Sequence, residues 1–170
     1  MNYAEIKKYD VANSVGVVCT LFVSGCTNNC KGCFNKDLQD FNYGKEWTKE
    51  VENYFIECCK NENVKNVCLL GGEVFQQDCN IIFRLLLRLK VEVKKPIWVW
   101  TGYTYEEIIK DKILIQLLIY IDILIDGRFE IDKKDLSLKH RGSRNQRIID
   151  VQESLKQNKV IQIRKYTKKE

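Results

Sequence analysis

Short apolar runs alternate with amphipathic stretches along this chain, and each run ends in a loop of unusual residues. Residues 17–24 (Val-Val-Cys-Thr-Leu-Phe-Val-Ser) are β-branched and aromatic, as a short buried strand requires. Residues 48–60 read as a helix: Thr48 suits the N-cap, and Val51, Phe55, Cys58 and Cys59 share one face. A second strand over residues 66–70 runs into Gly71-Gly72-Glu73. Asp78 then caps a helix striped by Ile81, Ile82, Leu85, Leu86 and Leu89. Residues 97–101 form a third strand between Pro96 and Gly102, and Thr104 and Glu107 have the spacing of a capping box. A fourth strand over residues 120–125 stops at Asp126-Gly127, and residues 147–151 and 160–163 are weaker strand candidates. This alternation predicts an α/β fold with a mostly parallel sheet and helical crossovers. Ligands bind at the carboxyl ends of such strands, so the four loops are expected to meet at one edge.

Cys26, Cys30 and Cys33 lie in the first of those loops, Gly25-Cys26-Thr27-Asn28-Asn29-Cys30-Lys31-Gly32-Cys33-Phe34. Their C-x3-C-x2-C spacing offers three thiolates and no neighbouring fourth ligand. Three thiolates hold three corners of a cubane iron–sulfur cluster and leave one iron open to something that is not protein. A structural zinc site fits less well, because zinc takes four protein ligands and the lone histidine, His140, is distant in sequence. The other cysteines, Cys19, Cys58, Cys59, Cys68 and Cys79, fall in apolar stretches and are assigned to the core or its edge.

With 170 residues the chain suits one domain over residues 1–170. A complete eightfold barrel needs about 250 residues, so a barrel relative would be incomplete. There is no signal-peptide pattern and no apolar run of the roughly 20 residues that span a bilayer. A cytoplasmic protein with reduced thiols, not a disulfide framework and not a membrane protein, is expected. Residues 127–170 carry 13 Lys/Arg against 6 Asp/Glu, within a net charge of +5 for the whole chain. No aromatic side chains interleave with this basic third as a nucleic-acid platform would want, so a protein partner is favoured, with a solvated basic tail from about residue 164.

The C-x3-C-x2-C loop followed by Phe34, with Gly71-Gly72-Glu73 after the next strand, resembles the radical S-adenosylmethionine superfamily. The segments Met1-Asn2-Tyr3, Leu21-Phe22-Val23-Ser24-Gly25-Cys26, Trp98-Val99-Trp100-Thr101-Gly102-Tyr103, Leu124-Ile125-Asp126-Gly127-Arg128-Phe129 and Arg141-Gly142-Ser143-Arg144-Asn145-Gln146-Arg147 are similar to the branch that activates the anaerobic ribonucleoside-triphosphate reductase. The resemblance implies an incomplete, open (β/α) barrel of the radical S-adenosylmethionine type. It implies a 4Fe–4S cluster on Cys26, Cys30 and Cys33, with S-adenosylmethionine chelating the open iron. Flavodoxin or a similar carrier would supply an electron. Cleavage of the sulfonium would give a 5′-deoxyadenosyl radical that takes hydrogen from a glycine of the reductase, leaving a glycyl radical.

Further cofactor-binding residues follow from the resemblance. Gly32, Cys33 and Phe34 are placed against the adenine, and Gly71, Gly72 and Glu73 beside the methionine ammonium group. Thr101 offers a hydroxyl, Asp126 a carboxylate, and Arg144 or Arg128 a guanidinium for the methionine carboxylate. Two departures stand out: Val74-Phe75 follows Glu73 where the family usually has a proline, and residues 13–16 lack another. The alternative functions are activation of a different glycyl-radical enzyme, of the pyruvate formate-lyase type, and a non-enzymatic iron–sulfur or zinc-binding module. The absence of a ferredoxin-type cysteine insert and the short chain favour the reductase branch.

Overall fold

A computed structural model describes residues 1–166. Seven strands form one open sheet in the order β3-β1-β2-β4-β5-β6-β7. They are β1 (Asn2–Asp10), β2 (Val18–Val23), β3 (Lys45–Glu46), β4 (Asn66–Gly71), β5 (Ile97–Trp100), β6 (Ile123–Asp126) and β7 (Arg147–Asp150). β2, β4, β5 and β6 run parallel, and β1, β3 and β7 add antiparallel edges. The expected α/β class with a parallel centre therefore holds.

The pleat sorts side chains to two faces. Cys19, Leu21, Val67, Leu69, Ile97, Val99 and Leu124 point into the main core. That core is completed by α1 (Lys49–Lys60), α2 (Cys79–Arg88), α3 (Tyr105–Ile108), α4 (Leu114–Leu118) and α5 (Val151–Gln157). On the alternate face Val18, Cys68, Leu70, Trp98, Ile125 and Ile148 make a smaller cluster, with Phe22 and Trp100 half-buried beside it. The helices thus cover one face and leave part of the other for the loops.

The caps form as the sequence predicts. Thr48 Oγ1 accepts from Val51 N, Asp78 accepts from Asn80 N and Ile81 N, and Thr104 and Glu107 close a capping box. A π-helical turn, Leu89–Val93, extends α2 and ends at Lys94 in the left-handed region. Cys19, Cys59 and Cys68 are buried in the core, as expected. Residues 160–163 make only a bridge, Ile149 to Gln162. His140 is half-buried edge-on to Trp98 and Tyr166, with ring centroids 5.4 Å from each. Tyr166, in the turn Arg164–Tyr166 of the expected tail, packs on the sheet while Arg164 and Lys165 are exposed, and residues 167–170 lie outside the described residues.

Candidate cofactor-binding site

The four loops do meet. Because β2, β4, β5 and β6 are parallel, their carboxyl ends share one edge, and a cavity of about 360 Å³ opens there. That size is at the lower end of small-molecule sites. Cys26, Cys30, Cys33 and Phe34 line it with Gly71, Gly72, Glu73, Thr101 and Gly102. None of the other five cysteines does.

Cys26, Cys30 and Cys33 are half-buried and unpaired. Burial pushes the Cys26 and Cys30 thiols above their ordinary range, and the neighbouring thiols push the same way. Among the described residues no three His, Cys, Asp or Glu side chains gather tightly enough to hold one ion. A cubane does not ask for that, since each thiolate binds a different iron corner. Three soft donors spread along one cavity wall fit a cluster better than a mononuclear zinc site.

The turn after β4 brings backbone close to the cluster loop. Gly71 has φ +111°, and a Cβ at Gly72 would lie 2.5 Å from the Gly25 carbonyl oxygen. Glu73 is 1% exposed, and its carboxylate ties three loops together. It accepts from Thr101 Oγ1 (2.8 Å), Gly102 N (2.7 Å), Asn28 Nδ2 (3.0 Å) and Phe75 N (3.2 Å). Burial raises its pKa, and these donors pull against that shift. With its oxygens so engaged, Glu73 braces the site instead of presenting a free acceptor to an ammonium group. Thr101 is committed likewise, since its hydroxyl donates to Glu73 and accepts from Tyr103 N at 3.0 Å.

Two glutamines replace the rigidity of the absent proline. Gln76 accepts from Thr27 N at 2.7 Å and donates to Tyr103 Oη at 3.3 Å. Gln77 Nε2 donates to Gly25 O (3.1 Å) and to Glu73 O (2.9 Å). The turn Val74–Gln76 is therefore laced to the cysteine loop.

Three of the expected residues do not line the cavity. Asp126 lies outside the cavity wall: its carboxylate accepts from Tyr105 N at 2.8 Å and pairs with Arg147, which also binds Glu106. Those donors hold it within the fold. Arg144 is exposed and does not line the cavity, because Arg144 N bonds Lys133 O in a loop that turns the residue outward. Gly32 is also exposed, and a Cβ there would meet Ile131 at 2.9 Å. Arg128, offered as the alternative to Arg144, is exposed as well.

The structure adds residues that the pattern did not single out. Trp100 lines the cavity, stacks on Trp98 at 6.0 Å and donates from Nε1 to His140 O at 2.8 Å. Phe129 meets Phe34 edge-on at 5.2 Å, and Lys134 Nζ sits 4.9 Å from the Phe34 ring centroid. Gln146, itself on the cavity wall, ties Gly127 to Gly142 and Ser143. Its Oε1 accepts from Gly142 N and Ser143 N, and its Nε2 donates to Gly127 O. The Arg-Gly-Ser-Arg-Asn-Gln run marked this segment in the sequence, but its register within an irregular loop could not be read there.

A family model described as "4Fe-4S single cluster domain" matches residues 12–149. Anaerobic ribonucleoside-triphosphate reductase-activating proteins are similar over most of the chain. The protein of Pasteurella multocida is 41% identical over 86% of this chain and 95% of its own length. Those of Vibrio cholerae and Escherichia coli are 40% and 39% identical over 86% of this chain and 96% of theirs. The chain belongs to the family of anaerobic ribonucleoside-triphosphate reductase-activating proteins and carries its 4Fe–4S single cluster domain.

Proposed function

We propose that this chain activates an anaerobic ribonucleoside-triphosphate reductase as a radical S-adenosylmethionine enzyme. The observation that carries the reading is one cavity lined by Cys26, Cys30 and Cys33 together with the Gly71-Gly72-Glu73 turn, and by no other cysteine. A 4Fe–4S cluster held by Cys26, Cys30 and Cys33 would supply the electron for reductive cleavage of the S-adenosylmethionine sulfonium, the chemistry that would remove a hydrogen atom from a glycine Cα of the reductase.

This chain's residues prepare the site. Cys26 and Cys30 lose the protons that burial favours when their sulfurs bind iron. Gly71 and Gly72 allow backbone to approach a ligand, while Glu73 fixes the cysteine loop against Thr101 and Gly102. Phe34 and Trp100 supply aromatic wall for the adenosine. The segment held by Gln146 supplies part of the wall against which the cofactor would lie. A second depression of about 400 Å³ shares Phe34 and Asn35 with the cavity and includes Lys7, Phe22 and Tyr43. It offers the partner's glycine segment a path to the cofactor.

Under this reading the open sheet, with its helices on one face, is the incomplete barrel of the radical S-adenosylmethionine type. The chain works as one domain in the cytoplasm, and flavodoxin or a similar carrier is its electron donor. Anaerobic reconstitution with iron and sulfide, followed by reduction, tests the proposal. The protein should convert S-adenosylmethionine to 5′-deoxyadenosine and place a glycyl radical on the reductase. Cys30→Ala should lose cluster and activity together. Cleavage that proceeds undiminished in Cys30→Ala would refute the site.

A further inference from the structure

Behind one wall of the cavity lies a cluster of rings that is completed from outside the matched domain. The family model ends at residue 149, and the chain then turns back through α5. Residues 161–163 return antiparallel beside β7. Asp150 N donates to Ile161 O at 2.9 Å, Ile163 N donates to Ile148 O at 2.8 Å, and Ile149 bridges Gln162. Ile161 N also donates to Oγ of the buried Ser154 at 2.9 Å. These bonds deliver Tyr166 to the face of the sheet that the helices leave uncovered, where it packs on the small cluster of Trp98, Ile125 and Ile148.

Three rings meet there. Tyr166 stands edge-on to His140, with centroids 5.4 Å apart and planes at 87°. It lies tilted against Trp98 at 5.5 Å, and Trp98 meets His140 edge-on at 5.4 Å. His140 and Trp100 both line the cavity. The His140 carbonyl oxygen accepts from Trp100 Nε1 at 2.8 Å, and Trp100 stacks on Trp98. His140 has φ +62°, a left-handed conformation that a non-glycine residue keeps where its surroundings enforce it. Its ring is held from two sides, by Trp98 and by Tyr166.

We infer that Tyr166 is a positioning residue of the cavity: it holds the His140 ring and, through the His140 carbonyl, keeps the Trp100 indole in the cavity wall. Tyr166 does not itself line the cavity, so it acts on a ligand only through these two residues. That the ligand is S-adenosylmethionine rests on the activase reading. An aromatic wall works through its area and the placement of its rings. Loosening Trp100 therefore costs affinity without removing a polar contact.

The three tryptophans of the chain provide the test. Trp47 Nε1 donates to Glu52 at 3.2 Å in the main core, Trp100 Nε1 donates to His140 O, and Trp98 Nε1 is buried with no partner among the described residues. Hydrogen exchange of the three indole N–H groups is followed by NMR in the full-length protein before cluster reconstitution, with single Trp→Phe variants assigning the signals. Tyr166→Ala should speed Trp100 exchange by about three- to tenfold, the equivalent of one aromatic pair, and leave Trp47 at the wild-type rate. Tyr166→Phe, which keeps the ring, should match wild type. After anaerobic reconstitution, Tyr166→Ala should bind S-adenosylmethionine more weakly by a similar factor at equal iron and sulfide content, read by equilibrium dialysis. Unchanged Trp100 exchange in Tyr166→Ala would overturn the inference. So would faster exchange with undiminished affinity, or a loss that Tyr166→Phe shares. If Trp47 exchange also rises in Tyr166→Ala, the fold is loosened as a whole, and Tyr166→Leu decides by the same two readings. Wild type that binds no S-adenosylmethionine refutes the activase reading, and the Trp100 exchange rate then decides the role of Tyr166 by itself.

Discussion

Glu73 shows why a single side chain governs this site. Its oxygens receive O–H and N–H donors from Thr101, Gly102, Asn28 and Phe75, so an acceptor-only group is required there. Glu73→Gln keeps the shape but turns one acceptor into a donor facing donors. It should lower stability by about 2–4 kcal/mol and loosen the cysteine loop, seen as a lower urea midpoint and faster loss of cluster absorbance. An unchanged midpoint would show that the carboxylate does not brace the loops. Glu52 makes a different point. Burial raises its pKa, but Arg84, Arg88 and Trp47 outweigh that and hold it below the ordinary 4.5. Its folded pKa being depressed, it stabilises the protein above about pH 4.5, and the contribution fades as pH falls through the lower folded value. Glu52→Gln should cost about 3 kcal/mol at pH 7, and the gap from wild type should close as unfolding is repeated at lower pH. A gap independent of pH would contradict the ion-pair account.

At the scale of elements, the caps are local chemistry, and they were readable as such. Asp78 bonds Asn80 N and Ile81 N in the first turn of α2. Asp78→Ala should cost about 1 kcal/mol in thermal or urea unfolding, with the cluster retained. Loss of cluster in that variant would tie α2 to the site more directly than its position suggests. The central strands were legible because they are buried on both faces and rich in branched residues. β1 was missed because its burial alternates poorly and it carries Glu5, Lys7 and Lys8 at the sheet's margin. β3 has two exposed residues and no apolar signal at all. α5 follows β7 without a loop, Asp150 ending one and capping the other, so the sequence period changes with no punctuation. The candidate site divides the same way. Cys26, Cys30, Cys33 and the Gly71-Gly72-Glu73 turn follow strand ends, where topology alone decides position. His140 and Gln146 sit in an irregular segment whose direction depends on long-range hydrogen bonds, such as Gln146 Nε2 to Gly127 O. Asp126 looked available because a turn dipeptide does not reveal the distant Arg147 that claims it.

For the whole molecule, the arrangement separates stability from chemistry. The helices and the main core occupy one face of the sheet, while the other face and the carboxyl-end loops shape the cavity. Among the described residues no helix is long and apolar enough to cross a membrane. Two cations lie beside cavity-lining residues, Lys134 over the Phe34 ring and Arg128 next to Gly102. Association with an acidic protein surface should therefore weaken as salt rises, and on-rates measured across ionic strength would show it. A salt-independent rate would remove charge from the docking account. On the proposed reading, three thiolates of this chain hold a cluster whose remaining iron takes a ligand from outside the protein. Low-temperature electron paramagnetic resonance of the reduced, reconstituted protein addresses it directly. Adding S-adenosylmethionine should shift the g-values of the reduced cluster. A spectrum that S-adenosylmethionine leaves unchanged would mean that the last iron is closed by the protein, and would contradict the account.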